Sequence, residues 1–272
     1  MEITDQEIES LTQSILLRYG VDFTGYEMKS FKRRIARILS VYKFPSVHHL
    51  WAHLLKNQSF IHTFMNEISV GMTSMFRDPI FWKHMKRILS RQYKEKSELK
   101  IWHAGCSTGE EVYSMGILLK ETGLLSKSKA LATDINQTAI KEAQEGRYHT
   151  LKMPENEKNF KEYNAFADFK QYYKTEEDQK NVVMDPELVT HVSFGFHNLT
   201  CDSVADAYDL ILCRNVMIYF DTPAKNKFME KFYQALKPGG YFAIGFYDTM
   251  LSIMNHHKLE LVDEEAKIFQ KK

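Results

Sequence analysis

Residues 101–119 read IWHAGCSTGEEVYSMGILL: an apolar run, a turn carrying Gly105 and Gly109, then apolar residues at helical spacing. Strand, glycine-bearing turn and helix in that order open a βαβ unit. Glycines at such a turn let the backbone bend tightly and let a ligand approach where a Cβ would otherwise stand. The run is not GxGxxG and lacks the third glycine, so alone it is no more than a packing turn. Glu110 and Glu111 at the helix start change that reading. Two carboxylates there would repel a pyrophosphate but not a neutral or cationic nucleoside, which disfavours NAD and ATP.

Outward from this turn the same alternation continues. LKIWHAG (99–105) and KALATDI (129–135) are short apolar strands, with a helix over Tyr113–Glu121 between them and another over Gln137–Gln144 after. AYDLILCRN (207–215), a helix around Ala224–Leu236, and GYFAIGF (240–246) after the turn Lys237-Pro238-Gly239-Gly240 complete the pattern. It predicts an α/β fold with a mainly parallel sheet. The stretch from Leu151 to Val192 is polar with little strand signal, and reads as an insertion or a surface helical excursion. Before Leu99 the chain reads as helices. In Glu27–Tyr42, EMKSFKRRIARILSVY, an apolar face of Met28, Phe31, Ile35, Ile38 and Leu39 opposes Lys29, Lys32, Arg33, Arg34 and Arg37. YKEKSE (93–98) reads as a linker, giving a helical domain over 1–94 and an α/β domain over 95–272.

The 272 residues carry 36 Lys and Arg against 35 Asp and Glu, a net charge of +1 that gives no global reason for nucleic-acid binding. The amino-terminal segment is acidic and polar, no stretch approaches a membrane span, and a cytoplasmic location follows. Cys106, Cys201 and Cys213 fit neither a disulfide framework nor a zinc site, and no HExxH spacing occurs, so no metal is expected. Asp134 closes the second strand, where a carboxylate can accept from ribose hydroxyls. It could equally be the N-cap of the helix that follows.

Five ordered motifs carry a specific resemblance. AGCSTGEEVYS, ATDINQTAIKEAQEGRY, FGFHNL, LILCRNVMIYF and LKPGGYF, preceded by SVGMTSMFRDPIFW, resemble the chemotaxis receptor methyltransferase (CheR) family from about Tyr19 to Phe246. The resemblance implies a class I S-adenosylmethionine-dependent methyltransferase (Rossmann-like) domain after a small all-helical domain. It implies methyl transfer from S-adenosylmethionine to glutamate side chains of a chemoreceptor or receptor-like protein, leaving S-adenosylhomocysteine. The positions that match cofactor contacts are Thr73, Arg77, Gly105, Glu111, Asp134, Asn198, Leu199, Asn215 and Val216. Arg77 and Tyr219 match the residues that orient the acceptor.

An ionised glutamate is already nucleophilic at neutral pH, so such a site needs alignment and no general base. Arg77 supplies fixed donors, and a tyrosine hydroxyl can hold one carboxylate oxygen and leave the other free. Plainer readings stand beside these: Arg77 as a surface charge before Pro79, Tyr219 as an amphipathic rim residue, Asn215 as a turn former. Lys29, Lys32, Arg33, Arg34 and Arg37 resemble the family's positive helix, implied to dock on a receptor's acidic methylation region, and could equally be a solvated face. Gly71 stands where many members have asparagine, and Phe246-Tyr247-Asp248 where many have His-Ser-Glu. Phe166–Leu188 has no glycine, unlike the β-insertion of members that tether to a receptor's terminal peptide, so no such tether is expected. A monomer is expected, and an S-adenosylmethionine-binding regulatory protein, or a methyltransferase with a divergent protein substrate, is the alternative.

Overall fold

The computed structural model describes residues 3–69, 73–204, 207–248 and 259–272; Gly71 lies outside them. The chain begins with α1 (Asp5–Tyr19), α2 (Met28–Val41), α3 (Val47–Lys56) and α4 (Phe60–Ile68). Local chemistry sets their ends. Thr4 and Glu7 form a capping box at the start of α1, with Thr4 Oγ1 accepting from the Glu7 N–H at 3.2 Å and Glu7 Oε2 accepting from the Thr4 N–H at 2.9 Å. The Glu27 carboxylate caps α2 by accepting from the Ser30 N–H at 2.7 Å. The inward faces, including Leu11, Ile15, Phe31, Ile35, Leu50 and Phe64, form one core. The next helix, α5 (Pro79–Gln92), packs Phe81, Trp82, Met85 and Leu89 into the α/β core instead.

The α/β part runs β1 (Leu99–Ala104), α6 (Glu110–Thr122), β2 (Ser128–Asp134), α7 (Gln137–Glu145), β3 (Arg147–His149), α8 (Met153–Tyr163), β4 (Tyr173–Thr175), β5 (Asn181–Met184), β6 (Val192–Phe196), β7 (Tyr208–Cys213), α9 (Thr222–Ala235), β8 (Leu236–Ile244), β9 (Leu259–Asp263) and β10 (Ile268–Lys271). Seven strands form one sheet in the order β6-β2-β1-β7-β8-β10-β9. Its first five strands are parallel, and β10 joins β8 and β9 antiparallel. Strand alternation divides the core. Leu99, Ile101, Leu210, Leu212 and Ala243 face α5, α6 and α8, while Trp102, Ile211, Cys213, Phe242 and Ile244 face α9.

The stretch read as an insertion or a helical excursion is an insertion that carries strands as well as a helix. Besides α8 it contributes β4 and β5, which join β3 in a second, antiparallel sheet ordered β3-β5-β4. These strands are only three or four residues long and β3 and β4 are largely polar, so the stretch leaves too little apolar alternation to read. The helical part meets the α/β part through polar contacts: Asn66 Nδ2 donates to Thr138 Oγ1 at 3.0 Å, and Asn136 Nδ2 to Ser69 Oγ at 2.8 Å. On the far side the Glu27 N–H donates to the Tyr219 carbonyl and the Asp221 N–H to the Gly25 carbonyl, each at 2.9 Å. No described helix is long and apolar enough to cross a membrane.

Candidate active site

The parallel strands β1, β2, β6 and β7 end on one edge of the sheet, where open α/β sheets form their ligand crevice. Ser69, Thr73, Ser74 and Arg77, between α4 and α5, form one side of that crevice. Thr73, Arg77, Gly105, Glu111, Asp134, Asn198, Leu199, Asn215, Val216 and Tyr219 all line the single cavity so formed. The sequence-predicted residues therefore converge from four strand ends and the linking segment.

Backbone geometry around the cavity is unusual. Gly105 has φ 88°, and a Cβ there would come within 2.5 Å of Val216 Cγ2, so its bare backbone seats the β1 turn against the β7 turn. Four non-glycine residues also take left-handed conformations in or beside the cavity: Ser107 (φ 49°) and Asn215 (φ 58°) in its lining, and Phe76 (φ 53°) and Asp78 (φ 55°) on either side of Arg77. Each such residue costs about 1–3 kcal/mol and persists only where its surroundings hold it. For Asn215 the holding group is Asp248. Its buried carboxylate accepts from the N–H groups of Asn215 and Gly245 at 2.7 Å each, and of Ile218 at 3.0 Å.

The polar groups fall into two sets. Asp134 Oδ2 accepts from the Ser107 N–H at 2.8 Å and Oδ1 from the Asn136 N–H at 2.9 Å. Burial pushes its carboxyl pKa up, with those backbone bonds opposing the shift. The N-cap of α7 is Asn136, whose Oδ1 accepts from the Ala139 N–H at 3.0 Å, so Asp134 is not the helix cap. Glu111 Oε1 lies 2.9 Å from His103 Nδ1, and Oε2 accepts from Arg214 Nη1 at 3.2 Å. Burial alone would raise the Glu111 pKa, but the His103 hydrogen bond and the Arg214 charge outweigh it and hold it below the ordinary value. Arg214 continues the network, its Nη2 donating to Asp78 and to the Arg77 carbonyl at 3.0 Å each, with the guanidinium 4.0 Å from the Phe81 ring centre. On the remaining wall Asn198 Nδ2 and Asn215 Nδ2 are buried and find no acceptor among the described residues. Unpaired buried donors beside two carboxylates suit a ligand with both hydroxyl donors and nitrogen or oxygen acceptors, as a nucleoside with an amino-acid tail has.

Two sequence-based assignments are corrected. Glu110 does not join Glu111 at the cavity: it is fully buried, accepting from Thr108 Oγ1 at 2.6 Å and from Lys152 Nζ at 2.9 Å. Arg34, grouped with the docking cations, is buried; its Nη1 donates to the Ile68 carbonyl at 2.6 Å and its guanidinium lies 4.7 Å from the Tyr219 ring centre. The cause is helical spacing, since position 34 falls three after Phe31 and four before Ile38, on the buried face. Lys29, Arg33 and Arg37 are exposed, with Arg37 3.6 Å from Glu67, and Lys32 pairs with Asp5 at 2.6 Å.

Sequence reading missed Arg214, Asn136, His197 and Tyr26, which also line the cavity, and Asp248 behind it. Arg214 adjoins Asn215 in LILCRN, and Asn136 follows Asp134 in a D-x-N pattern that marks a local turn, so both had a signal. Asp248, thirty-three residues after Asn215, stood out only within the Phe246-Tyr247-Asp248 departure, with no sign that it would hold Asn215.

Comparison with known proteins finds one family along the chain. Residues 71–267 match the SAM-binding domain of the CheR methyltransferases, and residues 6–69 match their all-alpha domain. The methyltransferase Cher3 of Pseudomonas putida is 33% identical over 98% of this chain and 97% of its own. A chemotaxis protein methyltransferase of Listeria innocua is 30% identical over 86% of both chains, and that of Escherichia coli 26% identical over 90% of this chain and 85% of its own.

Proposed function

The chain belongs to the CheR methyltransferase family and is an S-adenosylmethionine-dependent methyltransferase; from that premise we propose that it esterifies glutamate side chains in the cytoplasmic part of a chemoreceptor, with Arg77 and Tyr219 orienting the acceptor. What supports this division is that both residues line the cavity that Glu111 and Asp134 enter from the β1 and β2 ends. When bound, S-adenosylmethionine supplies an electrophilic methyl carbon on a sulfonium. Asp134 and Glu111 accept from hydroxyl donors of the nucleoside, while Asn198 and Asn215 offer their unpaired amide N–H groups to its acceptors. Thr73, Gly105, Leu199 and Val216 form the walls between them.

The acceptor carboxylate needs direction and a partly dry site, and proximity of this kind contributes about 7–11 kcal/mol when geometry is right. Arg77 stands on a segment whose backbone is pinned at its carbonyl by Trp82 Nε1 and Arg214 Nη2, both at 3.0 Å. Tyr219 is backed by Arg34, which keeps the ring from turning away from the cavity. Lys29, Lys32, Arg33 and Arg37 on α2 provide the docking charge for an acidic receptor helix. The β4–β5 turn, residues 176–180, reads EEDQK without glycine, and we read no peptide tether there. The working form is a cytoplasmic monomer.

The test is incubation with methyl-labelled S-adenosylmethionine and the cytoplasmic fragment of a chemoreceptor from the same organism. Label released as methanol by mild alkali, and lost when the accepting glutamates are replaced by alanine, supports the reading. Alkali-stable label, or label on other residue types, overturns it.

A further inference from the structure

We propose that His103 is a positioning residue of the cofactor site: as the Nδ1–H tautomer it donates to Glu111 and fixes the direction in which that carboxylate faces the cavity. The inference rests on the reading of Glu111 as a cofactor ligand. His103 lies on β1, the strand between β2 and β7, in register with Ala132 and Leu212, and is fully buried. Its neighbours in the sheet are thus apolar. Among the described residues its one hydrogen-bond partner of side-chain origin is Glu111, at 2.9 Å from Nδ1, and Nε2 is buried without a partner there.

These facts choose the proton's place. Glu111 is held ionised and only accepts, so Nδ1 must carry the hydrogen. An unpaired buried acceptor costs less than an unpaired buried N–H, so Nε2 is the bare nitrogen. The charged and titratable groups that face the ring are Glu111 from α6, Arg214 from the end of β7 through Glu111, and His191 leading into β6. Arg214 alone grips one oxygen of Glu111 and leaves its terminal torsion free. His103 grips the other, so the carboxylate plane is set and the remaining lone pairs point at the cavity.

Amide substitutions separate this role from packing, because asparagine presents its N–H₂ where Nδ1 stands and glutamine presents it where Nε2 stands. With S-adenosylhomocysteine as the probe in calorimetry, His103→Asn should bind within about 3-fold of wild type, while His103→Gln and His103→Leu should bind about 10-fold or more weakly, the loss of one hydrogen bond to a charged group. Equal affinity of the Asn and Gln variants, or wild-type affinity of the Leu variant, overturns the proposal. A Glu111→Ala control with unchanged affinity overturns the reading of Glu111 as well, which keeps the two failures distinct. Should the variants fail to fold, ring ¹⁵N NMR of the wild-type protein decides: a proton on Nδ1 of His103 supports the assignment, and one on Nε2 overturns it.

Discussion

Replacing Asp248 by alanine probes how the β7 side of the cavity is held open. The side chain is 4% exposed and satisfies three backbone N–H groups, those of Asn215 and Gly245 at 2.7 Å and of Ile218 at 3.0 Å. Hydrogen bonds to a charged acceptor contribute roughly 1.5–3 kcal/mol each, so about 4.5–9 kcal/mol is at stake before offsets. One offset is visible: burial pushes the Asp248 carboxyl pKa up despite those bonds and the nearby Arg214 charge. A raised pKa in the folded state means stability falls as pH climbs from the unfolded to the folded value, so ionised Asp248 is held at some cost. Removing it relieves that cost and orphans three donors, for a net loss of about 3–5 kcal/mol. Asp248→Asn keeps one acceptor oxygen and turns an N–H₂ toward the remaining donor, so about half that loss is expected. Urea denaturation followed by far-UV circular dichroism measures the stabilities. Calorimetry with S-adenosylhomocysteine should show at least about a 10-fold loss for the alanine variant, because Asn215 and Val216 leave their places. A loss under about 1 kcal/mol with unchanged affinity, or an asparagine variant as damaged as the alanine one, would refute the reasoning.

Three further outcomes are expected. Arg77→Ala should keep S-adenosylhomocysteine affinity within about 3-fold while methyl transfer falls about 100-fold or more, and Asp134→Ala should lose binding first; parallel losses in both variants would remove the division of roles. Reversing Lys29, Arg33 and Arg37 to glutamate should raise KM for the receptor and flatten its salt dependence, whereas Arg34→Leu should lower turnover and leave the salt dependence alone. Burial pushes the His191 pKa from 6.5 down to about 4, so the unfolded chain binds more protons between those values and stability is lost as pH falls through that window. That window corresponds to at most about 3.4 kcal/mol, and His191→Gln should abolish that acid-side loss in urea titrations at pH 7 and pH 4.5.

How much of this was legible in the chain depends on the physical scale of each feature. The β1–α6 turn, the strand ending at Asp134 and the LILCRN strand announced themselves because buried parallel strands are continuous apolar runs and their ends carry the ligand groups. The three-residue strands β3 and β4 were silent because a polar strand of that length has no pattern distinguishable from a loop. The inward turn of Arg34 was available from spacing alone. It was obscured by the assumption that five cations on one helix share a face, when Phe31, Ile35 and Ile38 already defined a buried stripe that passes through position 34. Asp248 was out of reach for a different reason, since its partners are backbone N–H groups brought beside it only when β7 and β8 pair.

The burial of Arg34 also changes what the basic helix can do. Lys29, Arg33 and Arg37 face solvent on the same rigid α2 whose inner face supports Tyr219, and Arg33 and Arg34 are joined by one peptide bond. The amino-terminal end of α2 is fixed to the β7 side of the cavity as well, because the Glu27 N–H bonds the Tyr219 carbonyl and the Tyr26 ring packs 4.5 Å from that of Phe220. Under the proposed docking, a partner seated on the outer cations is linked to Tyr219 through α2 and the backbone hydrogen bonds at its start. For a reaction that needs direction more than acid–base assistance, the proposed docking is economically placed: the helix that would read the partner's charge also supports, through Arg34, the tyrosine that would orient its carboxylate.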